Sequence, residues 1–171
     1  AHFSGRKHVT IAQDTVRYGN KDTGAYFFVT LRCSRNLLLQ RTVTAAETEV
    51  NYVRPSFFGL EAEKEIAALV AAFRPQIHDP QIQGMGDGPY STEGFLHGWN
   101  LGNRLGLRSI LSSGSAPALL SMPAEALRAA WAWNYRRAEL QSLWPRCFVP
   151  IIMMFSIDGH LRLAVVWEKA C

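Results

Sequence analysis

The sequence holds little of what usually marks a function. Cys33, Cys147 and Cys171 are its only cysteines, and no C-x-x-C pair is formed, which excludes a zinc ribbon and leaves an odd thiol over. Cys33 and Cys147 would form a disulfide in an exported chain or two reduced core thiols in a cytosolic one, and spacing does not choose between them. The compartment therefore stays open, exported or cytoplasmic. The first residue is Ala1 rather than methionine, which fits a trimmed exported protein or an excised domain.

Long apolar runs are missing too. The longest, Phe148 to Ile157, contains Pro150 and Ser156 and falls short of the roughly 18 residues a membrane helix needs, so no membrane span is expected. Charge is not concentrated: the net +4 comes from basic residues scattered between Arg6 and Lys169, with Arg6-Lys7 and Arg136-Arg137 the only adjacent pairs. A nucleic-acid binder is disfavoured by the lack of a basic stripe interleaved with aromatics. The aromatic segment GAYFFVTL (Gly24 to Leu31) lacks the flanking pattern of an RNA-recognition strand and reads as a core strand. Repeats, low-complexity tracts and linkers are absent, so residues 1–171 are expected to form a single domain around one core.

What is present is hydrophobic patterning. Residues Val9 to Tyr18 alternate, Gly19 to Asp22 offer a turn, and Ala25 to Cys33 alternate again, predicting a hairpin with Phe27, Val29, Leu31 and Cys33 on the core face. Leu37 to Thr44 and Val50 to Val53 extend the β-rich third. Ala62, Ile66, Leu69, Val70 and Phe73 then fall at helical spacing, with Glu61, Glu63, Lys64 and Glu65 in polar positions and Pro75 just beyond. A Gly/Pro-rich loop is expected from Arg74 to Tyr90. Ser91 or Thr92 caps a second helix, and a third runs from Ser121 to about Leu143 with Leu127, Trp131, Tyr135 and Ala138 on its apolar stripe. Asp158-Gly159 between FVPIIMMFSI and HLRLAVVWE marks a C-terminal hairpin, whose Ile151 to Phe155 strand should lie centrally. The predicted fold is α+β: a mainly antiparallel sheet formed by the N-terminal strands and the C-terminal β-hairpin, packed against about three helices.

Thirteen glycines are clustered rather than spread. Gly84, Gly86 and Gly88 alternate in GMGDG, whereas Gly94, Gly98, Gly102 and Gly106 recur every fourth residue. The first set lacks the Lys-Ser or Lys-Thr of a P-loop and a complete G-x-G-x-x-G, so it reads as a connector and not as a phosphate cradle. The second set lines one helix face and costs about 0.8–1 kcal/mol per glycine against alanine, which requires a close contact along that face. An internal contact is the favoured reading.

Chemistry-bearing residues gather here as well. His78, Asp87 and His97 are candidates for acid–base catalysis, although no His-Glu-x-x-His register, Gly-x-Ser-x-Gly elbow or other ligand spacing accompanies them. Neither a metal nor a cofactor is implied. On the polar face of the glycine helix His97, Asn100 and Arg104 stand three and four residues apart and form a candidate partner-binding set. The sequence favours a noncatalytic protein-binding or accessory domain whose partner is another protein. The alternative is a small hydrolase or transferase with its site between Gly84 and Arg104.

Overall fold

The computed structural model describes residues 3–35, 41–81, 83–113 and 119–166. Four strands, β1 (Val9–Ala12), β2 (Thr15–Gly19), β3 (Tyr26–Arg35) and β4 (Arg41–Glu49), form an antiparallel sheet in sequential order. The stretch from Val9 to Tyr18 is two strands, not one. Its apolar residues switch from odd positions (Val9, Ile11) to even ones (Val16, Tyr18), and the switch falls at a two-residue turn where Gln13 adopts φ +53°. A two-residue turn restores the same face on the returning strand only if the parity changes. Val9, Tyr18 and Phe27 consequently line up across the sheet, as do Ile11, Val16 and Val29.

That face is covered by α1 (Phe57–Phe73), whose Phe58, Ala62, Ile66 and Leu69 are buried and lie along one helical stripe. Val16, Tyr18, Phe27, Val29, Ala62, Ile66, Leu69 and Phe95 make one core cluster; Ala25, Phe57, Phe58, Trp99 and Trp131 make a second. α1 stops at Arg74, which turns left-handed (φ +47°) and donates its N–H to the Val70 carbonyl before Pro75. Beyond the helix the β3–β4 arm loses its cover: Leu31 and Cys33 are only half-buried, and residues 42–49 are exposed.

The Gly/Pro-rich loop contains a short hairpin, β5 (Ile77–Asp79) with β6 (Gly86–Gly88), ahead of α2 (Thr92–Ser112). Ser91 is the cap, its hydroxyl accepting the Gly94 N–H at 3.1 Å. α3 spans Ala124–Leu143, and β7 (Ile152–Ile157) and β8 (His160–Val165) follow. Asp158 and Gly159 supply two positive φ values for their turn, +50° and +75°, as a mirror-image type I turn requires. The α+β class with antiparallel pairing holds, with the C-terminal hairpin forming its own two-stranded sheet instead of extending the N-terminal one. Met154 and Phe155, expected centrally, are exposed. No described helix is long and apolar enough to cross a membrane.

Candidate functional site

The glycine face of α2 is used inside the chain, by loops. A Cβ at Gly98 would stand 3.1 Å from the Gly84 Cα, and one at Gly102 would stand 2.8 Å from the Tyr52 ring. The β5–β6 hairpin lies against the first site because buried Asp79 organises its loop, accepting the Gln81 N–H at 3.1 Å and the Met85 N–H at 2.9 Å. Asn103 fastens the second by donating to the carbonyls of Tyr52 and Arg54. Phe95 and Trp99 point inward, and Trp99 packs its indole on Gly59 of α1, where a Cβ would meet the ring at 2.6 Å.

The candidate acid–base residues sit on the outside of this assembly. The β5–β6 register places His78 opposite Asp87, and His78 Nδ1 lies 2.5 Å from Asp87 Oδ1 with both side chains three-quarters exposed or more (75% and 81%). The hydrogen bond to Asp87 and then its charge raise the imidazole above the ordinary 6.5. His97 is directed elsewhere, its Nε2 3.4 Å from Gln83 Oε1. The structure thus joins two of the three in an exposed cross-strand pair, and none of the three lines the clefts described below. His97, Asn100 and Arg104 are all exposed along α2.

A carboxylate that the sequence pattern placed among polar positions proves to be the most enclosed polar group. Glu61 on α1 has no exposed surface. Its Oε1 accepts from Tyr18 Oη (2.7 Å), Asn20 Nδ2 (2.8 Å) and Thr23 Oγ1 (3.0 Å), and its Oε2 from Trp131 Nε1 (2.7 Å). Sheet, turn and α3 therefore converge on one side chain. Burial first, and then the charge of Glu61, push the Tyr18 hydroxyl above the ordinary tyrosine range, which keeps it a donor across ordinary pH. Two further contacts fasten α3: Lys64 Nζ sits 4.3 Å from the centre of the Tyr135 ring, and Arg137 meets Asp22 at 3.0 Å.

From that anchored helix a second set of side chains captures the chain that returns along it. Asn134 donates to the Ile152 carbonyl and accepts the Ile152 N–H, as a neighbouring strand would. Arg137 donates to the Val149 carbonyl, Gln141 accepts the Val149 N–H and donates to the Cys147 carbonyl, and Trp133 Nε1 donates to the Pro150 carbonyl. Polar residues on α3 thereby satisfy backbone groups of residues 147–150, ahead of β7, and of Ile152 at its start. The side chains of that segment are left to line an apolar cleft of about 330 Å³.

The cleft is walled by Trp133, Trp144, Phe148, Ile152 and Val165, with Cys147 at its margin. Trp144 is 51% and Phe148 48% exposed. Cys147 is an exposed free thiol and Cys33 a half-buried one, so neither is the buried core thiol their apolar flanks suggested, and no disulfide joins them. Ile152 pairs with Val165 and Met154 with Leu163, which carries the apolar surface from the cleft along one face of the hairpin. Sequence reasoning missed this site. Its signal was the pairing of an apolar C-terminal hairpin with a helix carrying Asn134, Arg137 and Gln141 on the facing side. The chain matches no family profile, no curated protein and no solved structure.

Proposed function

We propose that the chain is a single noncatalytic protein-binding domain whose principal docking surface is the cleft between α3 and the β7–β8 hairpin. The observation that supports this reading is the apolar lining itself: Trp133, Trp144, Phe148 and Val165 stand together and accessible, and the largest contiguous apolar patch on a protein surface is often its interaction site. Accessible tryptophan and phenylalanine beside a sheet edge that no other described strand pairs suit a partner that presents bulky apolar side chains. His97, Asn100 and Arg104 form a second, polar contact on α2 in this reading, with Arg104 supplying five donors. The alternative of a small hydrolase or transferase draws on the His78–Asp87 pair, but a catalytic pair works in a water-excluded pocket, and these two side chains stand in solvent.

The test is affinity capture from the native source with wild type and a Trp144→Ser/Phe148→Ser variant, followed by measurement of complex mass. A heterologous partner retained by wild type and lost with the variant, at unchanged thermal stability, is the expected result. Retention by wild type and variant alike removes the cleft from the interface; a mass showing only self-association makes the surface a dimer face. Arg104→Ala, checked for folding, should weaken the same complex at low salt by up to tenfold.

A further inference from the structure

The outer face of the four-stranded sheet carries a different kind of site. Antiparallel register sets Thr10 beside Arg17 and Gly19 beside Tyr26 on the face opposite the core. Because Gly19 has no side chain, a cleft of about 290 Å³ opens there, lined by His8, Thr10, Arg17, Lys21 and Tyr26 among others, and it continues past Gly19 and Lys21 to Asp22. Arg17 folds over the gap, its Nε 3.9 Å from where a Cβ on Gly19 would begin.

Charge in this cleft is unbalanced. Among the described residues neither Arg17 nor Lys21 meets a carboxylate. The acid at the margin, Asp22, is engaged by Arg137 at 3.0 Å; on the same sheet face Glu47 is engaged by Arg32 at 3.1 Å, and Glu49 stands two strands from Arg17, beyond Phe28, outside the lining of the cleft. Two walls are held in place. His8 is in the left-handed region (φ +66°), with its carbonyl accepting the Gly19 N–H at 2.8 Å and its ring edge-on to Tyr18 at 5.9 Å. Tyr26 is held at its hydroxyl by Arg54, 2.5 Å away, while its ring borders the cleft.

We infer that this cleft binds a small molecule carrying a phosphate monoester on an aromatic or heteroaromatic body, with Arg17 and Lys21 on the phosphate and Tyr26 against the ring. Two neighbouring cations match a dianion, and the arginine fork suits phosphate oxygens. A cleft of this size admits a small molecule. The inference is independent of the apolar cleft and of any protein partner.

Amide NMR titrations with phenyl phosphate, inorganic phosphate and benzoate test it. Phenyl phosphate should shift the Gly19, Lys21 and Gly24 amides saturably, several-fold more tightly than inorganic phosphate, and about tenfold or more tightly than it binds Arg17→Ala/Lys21→Ala. Both substituted side chains are exposed, so the double variant should unfold at the wild-type temperature; if it does not, Lys21→Ala alone should still weaken binding several-fold. Shifts that never saturate, equal affinity in the folded variant, or benzoate binding as tightly as phenyl phosphate would each overturn the inference.

Discussion

Strands β3 and β7 are built from similar residues and end in opposite surroundings. Phe27 and Val29 of β3 are 4% and 3% exposed, whereas Met154 and Phe155 of β7 are 43% and 38% exposed. The first strand is central in a four-stranded sheet and has α1 across it; the second has a single neighbour strand among the described residues and is tied to α3 through backbone bonds at its start. Apolar residues close the N-terminal core, while polar side chains hold the C-terminal hairpin. An isolated two-stranded hairpin is marginal in water. Hydrogen bonds to Ile152, Val149 and Cys147 position it without covering its side chains, and that leaves the exposed surface from which binding is proposed.

Glu61 is where the two regions meet, so replacing it should break the comparison most severely. Glu61→Leu strands the Tyr18 hydroxyl, the Asn20 amide and the Trp131 indole N–H in a buried setting. At about 1–3 kcal/mol for each buried donor left without a partner, we expect a loss of about 3 kcal/mol or more by urea or thermal unfolding. Glu61→Gln keeps one acceptor oxygen and should lose less. Trp131→Phe separates the regions more finely: it removes one N–H, and hydrogen exchange should accelerate along α3 while the β2 and β3 amides stay protected. Uniform acceleration would mean that α3 and the sheet unfold as one unit.

The glycine face of α2 offers a smaller effect with a built-in control. Gly98→Leu and Gly102→Leu push a side chain into the Gly84 backbone and the Tyr52 ring, and each should cost about 1–3 kcal/mol. Gly106→Ala meets Val53 no closer than 3.4 Å, an ordinary contact, so the helical preference of alanine should make it neutral or stabilising by up to about 1 kcal/mol. Thermal unfolding of the three variants checks the contrast. Equal effects at all three positions would show that propensity, not close approach, governs the helix.

Much of this architecture was legible wherever local chemistry decides it. Asp158-Gly159 announced its turn, Ser91 its cap, Phe27 and Val29 their core face, and the four-residue glycine spacing its internal contact. Glu61 was not legible, because its donors come from residues 38 to 70 positions away and a glutamate beside Ala62 reads as solvated until they are placed. Asn134 and Gln141 were missed for the same reason: only tertiary structure shows that they stand in for a strand. The turn at Gln13-Asp14 was missed because Val9 to Tyr18 reads as one alternating run, although its apolar residues shift from odd to even positions across the turn. The apolar character of Phe148 to Ile157 was visible, and the sheet it would join was not, since strand pairing is a non-local choice.

The smallest expected effect contrasts two carboxylates rather than two sheets. Glu61 is enclosed by donors, while Asp87 is exposed beside His78. An exposed pair is screened by solvent and contributes little to stability, so Asp87→Asn should leave the unfolding temperature at pH 8 unchanged. The histidine titration must respond all the same. The hydrogen bond from His78 to Asp87 raises its folded pKa above 6.5, so the attraction is fully present below that value and is lost as pH rises through the folded pKa. In Asp87→Asn, the His78 midpoint, followed through its ring protons, should fall toward 6.5, and any destabilisation should appear only on the acid side. An unmoved midpoint would show that the two side chains are not paired in solution. The β5–β6 hairpin would then be held by its backbone pairing, Asp79 and the glycine face of α2, without the cross-strand side-chain pair.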